Sequence, residues 1–215
     1  MTFFAPFCIP FIVGATLLFF CVALKYFSWL RQLPTSDMIL IAKGIFTPRT
    51  LSAVWEVVCE SLLHRRIFRR NVVLGYMHMS LAFGWFLLIV VGWIETVSYL
   101  GTEWVPLQGH VFFKYFVPLN GIEGHKPLFD NVMDALLLFV LSGVTLAWLK
   151  RLRSRLMGMR RTTKHIFFDR IALSALWFIF PLRLLAESIT CAIYGGGGFL
   201  TGNIGLLLSQ HIGTD

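Results

Sequence analysis

Polar and apolar positions fall in long blocks along the chain. Four apolar runs stand out, at about 3–24, 72–94, 131–149 and 171–194. Each is near the length that a helix needs to cross a hydrocarbon layer, so each is expected to be a membrane-spanning helix. The first run lacks a positive leader and a small-residue cleavage site, and reads as a retained helix. Pro6 and Pro10 lie in its first turns, where a missing amide donor does least harm. The second is free of Lys, Arg, Asp and Glu from Val72 to Ile94.

Between the first two runs the pattern changes to a helical period. Thr47-Pro48 is a plausible helix start, and Leu51, Val54, Trp55, Val58, Leu62 and Leu63 then recur on one face. This predicts an amphipathic helix over about 48–68, lying on the membrane surface and ending in Arg65, Arg66, Arg69 and Arg70. Lipid headgroups are the simplest partners for those arginines; a docked electron-transfer protein is the alternative. Residues 101–129 are expected to form an ordered external cap, with a short interfacial helix through VFFKYF. The apolar part of the tail, Phe199 to Leu208, is too short and glycine-broken to span, and is expected to be external.

Charge sets the expected topology. The segments 31–71 and 150–170 hold seven and eight Lys/Arg, whereas 101–129 and the tail together hold two. The positive-inside rule then places both termini outside, with the basic segments inside. Composition agrees with an all-α integral membrane protein: 57% of residues are hydrophobic, 14% are charged, and mean hydropathy is +0.73. The net charge of +8 follows from the same two basic segments and gives no reason to invoke nucleic acid. Cys8, Cys21, Cys59 and Cys191 show neither CxxC nor metal-finger spacing; they read as apolar fillers, and no iron–sulfur cluster is assigned to them.

Within the second run, His78 is the costly residue. It lies about 10 Å beyond Asn71 along a helix, and an ionisable group at such a depth is a functional hypothesis by default. Gly75 and Ala82, at i−3 and i+4, share its face and would leave a flat gap beside the imidazole. A haem ligand and a packing histidine both satisfy this position. His64, fourteen residues earlier, would lie about 40° away on one continuous helix, a spacing that suits two stacked haems. The flanking arginines argue against that and favour an interfacial His64. In the fourth run Arg183 and Glu187 are spaced to pair on one helix face, as a structural anchor or as part of a quinone pocket or proton path. Glu95 and Asp134, near outer helix ends, could join such a path or be solvated. His110, Glu123 and His125 could bind an external metal, although a polar cap is the simpler reading. His165 and His211 carry no motif.

The segment HRRIFRRNVVLGYMHMSLAFGWFLL resembles the second helix of the respiratory nitrate reductase gamma-subunit superfamily. That group includes the membrane cytochrome b subunits of heterodisulfide reductase and of sulfite-reduction-associated complexes. The shared pattern is an arginine-rich approach, a histidine one or two turns into the span, and a glycine about six residues later, here Gly84. DNVMDALLLFVLSGVTLAWLKRLRSR is similar to the third helix of the family, with its early Asp, mid-helix Gly143 and basic exit. DRIALSALWFIFPLRLLAESI is similar to the fourth. The resemblance implies a subunit of the cytoplasmic (inner) membrane that binds one or two b-type haems between histidines of its second and fifth helices. It also implies electron exchange between quinone and an iron–sulfur protein, or a fused C-terminal iron–sulfur domain, on the cytoplasmic side. His78 would be the axial ligand here, one haem being expected rather than two. Residues 1–215 would be a single membrane domain, the front part of a five-helix protein, with the opposite ligand beyond it or on another chain. A non-redox transporter subunit or assembly scaffold is the reading from another class, with a path along Arg183, Glu187 and Asp134.

Overall fold

A computed structural model describes residues 8–45, 47–100, 127–158 and 167–212, and every regular element among them is helical. In chain order these are α1 (Cys8–Arg31), α2 (Thr35–Gly44), α3 (Pro48–Val57), α4 (Arg65–Arg70), α5 (Val72–Leu100), α6 (Pro127–Leu156), α7 (Phe167–Tyr194) and α8 (Thr201–Ile212). Four of them, α1, α5, α6 and α7, are long and apolar enough to cross a membrane. They contain the four expected runs, apart from residues 3–7 of the first. The helix in the third run extends beyond its expected 131–149 at both ends. Of the cap expected over 101–129, residues 101–126, with His110, Glu123 and His125, lie outside the described residues, as does His165, and Pro127 already begins α6.

The core is the antiparallel pair α5 and α6. A lipid chain is as apolar as leucine, so helices in a membrane associate through close packing at small residues rather than by expelling water. Gly143 faces the Ser80 side chain and the Met77 carbonyl, leaving no room for a Cβ. At Gly84 an added Cβ would come within 2.6 Å of Val140. Leu88, Met133, Leu137, Val140 and Val144 fill the seam between these contacts. Tyr76 and Ser142 close it at the basic end with a 2.7 Å hydroxyl–hydroxyl hydrogen bond. The α7 helix joins through Phe180, which meets Trp85 edge-on, and through the Trp148–Trp177 contact. The α1 helix contributes no buried side chain to its span.

Three elements differ from the sequence expectation. The segment between the first two spans contains a helix, α2, whose exposed Met38, Ile39, Leu40 and Ile41 gave no clean amphipathic period. The helix expected over 48–68 starts at Pro48, but it does not run through. It passes into a π-helical turn at Val58–Leu62 and stops at His64, so the arginines form the separate α4. The tail, for which no helix was expected, folds as α8 and packs back along α7: Gly205 lies against Cys191 Cβ and the Ser188 carbonyl, where a Cβ would approach to 2.8 and 3.0 Å.

Candidate functional site

The first group of candidate residues lies at the arginine-rich end of α5. The π-helical turn inserts an extra residue into the ladder, with Leu63 N–H donating to Val58 O at 3.0 Å, and such turns recur at functional positions. His64 then adopts a left-handed backbone, φ 51° and ψ 40°, the only non-glycine residue with positive φ among those described. For a side chain with a Cβ that conformation costs about 1–2 kcal/mol. His64 O accepts from Ile67 and Phe68, starting α4, and Asn71 is extended, with its side chain capping Leu74 N–H at 2.9 Å. Two reversals within eight residues fold α4 against the first turns of α5. Phe68 occupies the notch at Gly75, where a Cβ would lie 2.6 Å from the Phe68 ring and 2.7 Å from its Cα.

This folding changes the relation between the two histidines. On one continuous helix, fourteen residues would separate them by about 21 Å. In the structure their ring centroids are 5.4 Å apart and their planes are within 18° of parallel. The spacing for two haems stacked across a bilayer is therefore replaced by a direct contact. His64 Nδ1 lies within hydrogen-bond reach of Leu62 O, at 3.3 Å. His78 is half-buried, with Ala82 half-buried one turn further on. The Gly75 side of the face is filled by protein, so any flat space beside His78 is toward Ala82.

The second group lies at the opposite end of the bundle. Asp134, 2% exposed, accepts from Leu200 N–H at 2.7 Å, Thr201 N–H at 3.0 Å and Thr201 Oγ1 at 2.9 Å. Asn131 accepts from Phe199 N–H at 3.0 Å. Together they bind the start of α8, whose first amides have no partner within their own helix. The glycine run makes this possible: Gly195, Gly196 and Gly197 all have positive φ, and Gly198 passes so close to Asp130 and Asp134 that a Cβ would clash. A cavity of about 30 Å³ remains, lined by Asp130, Met133, Asp134, Glu187, Thr190, Cys191, Gly197 and Thr201. That is room for a water molecule or two. Arg183 Nε donates to Glu187 Oε1 at 2.9 Å, with both side chains largely buried. Glu95 is also buried, at 2% exposure, so the solvated position left open for it and for Asp134 is not the one observed.

The structure thus brings Asp134 and Glu187 to one cavity and His64 to His78, and holds the two groups at opposite ends. Sequence reasoning missed Asp130 and Cys191 as cavity walls and Asn131 as an anchor. The i, i+4 pair Asp130/Asp134 and the four-glycine run are both visible in the sequence, but they lie far apart along the chain and nothing local says that they meet. Nothing in the sequence signalled the left-handed His64. His211 lies on α8, with Nδ1 donating to Leu207 O at 2.9 Å. Among the described residues no three His, Cys, Asp or Glu side chains form a metal-ion group.

Comparison with known proteins gave no match: no family model, no curated protein and no solved structure aligns with the chain. The family resemblance rests on the helix motifs alone.

Proposed function

We propose that this chain is the membrane electron-transfer part of an oxidoreductase, with His78 as an axial ligand of a b-type haem. One observation carries the reading: a half-buried imidazole inside an apolar helix, a few turns from an arginine-rich end. A neutral imidazole in that setting has a reason to be there if it binds a metal. A haem would meet His78 from one side, with His64 behind the ligand and the small Ala82, rather than the filled Gly75 notch, beside the porphyrin. Bound there, the haem would supply one-electron chemistry at membrane depth. Arg65, Arg66, Arg69 and Arg70 would dock an iron–sulfur partner on the inner face, with anionic lipid around them. Quinone would exchange electrons from within the membrane, and Glu187, paired with Arg183 beside the cavity, would sit on the proton route. Asp134 fits an anchor better than a carrier, because its oxygens are engaged by Leu200 and Thr201.

The alternative, a non-redox transporter subunit or scaffold, needs a polar path through Arg183, Glu187 and Asp134, of which Asp134 is already committed. The deciding measurement is a reduced-minus-oxidised spectrum of the protein purified in detergent. A b-type band that is lost in His78→Ala is the expected result. Absence of the band, or a band that survives the substitution, sinks the proposal.

A further inference from the structure

The contact between His64 and His78 calls for a reason of its own. A chain that only had to turn between α3 and α4 would be served by glycine or asparagine at the left-handed position. Here the position carries a large aromatic ring. Its backbone is set by the π-helical turn before it, its ring is tied through Nδ1 to Leu62 O, and its plane lies nearly parallel to that of His78. The Phe68–Gly75 contact locks α4 against α5 and so fixes the distance between the two residues. Three separate features converge on the placement of one ring against another.

We propose that His64 is a positioning residue that sets the ring plane of His78. The proposal rests on the reading of His78 as a haem ligand. Its physical content is that a ligating imidazole free to rotate about its metal–nitrogen bond samples many planes, whereas one with a ring held against it samples few. The plane of an axial imidazole governs its overlap with the iron d orbitals, so an outer residue that fixes it tunes the metal without touching it. His64 would act through His78 and would add no bond of its own to the iron.

Two variants of the full-length chain in native membranes or nanodiscs test this. His64→Asn keeps a residue that tolerates the left-handed backbone but removes the ring. His64→Phe restores a flat ring without the imidazole nitrogens. In protein labelled at histidine, the ring resonances of His78 should shift in His64→Asn and return toward wild type in His64→Phe. In haem-loaded protein, the low-temperature electron paramagnetic resonance g values and the midpoint potential should move in the same sense and show the same rescue. Unchanged His78 resonances in His64→Asn would overturn the proposal whether or not haem is present. Haem lost equally from both variants would also overturn it, because His64 would then be a ligand or a purely structural residue. Wild-type protein that takes up no haem instead defeats the reading of His78, and the resonance measurement still decides the ring contact.

Discussion

At Asp134 one buried carboxylate accepts from two backbone amides and a hydroxyl of a segment more than sixty residues away. Removing it would leave the donors at the start of α8 buried without partners, at about 1–3 kcal/mol for each unsatisfied group. Asp134→Ala should therefore cost roughly 2–4 kcal/mol on that scale, seen as a lowered unfolding midpoint in detergent. Asp134→Asn, which keeps an acceptor oxygen, should lose less; equal losses would show that geometry at this site matters little. His64 makes a different residue-scale prediction. His64→Gly relieves a left-handed backbone and should leave stability unchanged or slightly higher, whereas His64→Val should lose about 1–2 kcal/mol. A stable valine variant would mean that the left-handed conformation is not obligatory.

Among the elements, the α5–α6 seam and the α7–α8 contact both depend on a missing Cβ. Gly143→Leu forces a side chain into Ser80 and the Met77 carbonyl, one of them backbone, so the two helices must separate. The expected outcome is a loss of folded protein greater than that for Leu138→Ala, whose side chain is exposed, measured by size-exclusion chromatography in detergent. Gly205→Leu should lift α8 away from α7. In a background where Cys191 is the sole cysteine, its maleimide labelling should then rise several-fold. Unchanged labelling would mean that α8 does not shield Cys191. The legibility of these elements from sequence was uneven. Spans announce themselves because an uninterrupted apolar run of that length has few other stable fates. The break at His64 does not, since His, Leu and Arg are all good enough helix residues. It goes with the π-helical turn before it and the packing of Phe68 onto Gly75 after it.

For the whole molecule, the two ends of the bundle differ in kind. One carries the arginines and the paired histidines, the other the buried carboxylates, the glycine run and the cavity. The fifteen Lys/Arg of the 31–71 and 150–170 segments should face one side of the membrane. Single cysteines introduced at positions 49 and 155 should accordingly label from that side only in sealed vesicles, and labelling from opposite sides would refute the topology. The exposed apolar side chains of α1, such as Leu18, Phe19 and Phe20, are consistent with lipid contact.

What the chain's sequence determined by itself is its class, the number of long apolar helices and the presence of a histidine where a histidine is costly. These follow from local quantities, apolar run length and charge density, which need no knowledge of what packs where. The pairing Arg183–Glu187 was also local, because four residues on one helix fix its geometry. Only the tertiary structure decided that His64 meets His78, that Asp134 ties down α8, and that α8 turns back along α7. Each depends on residues distant along the chain or on a backbone reversal forced by close packing. Periodicity records which face of a helix is apolar, but it carries no information about the partner that face meets.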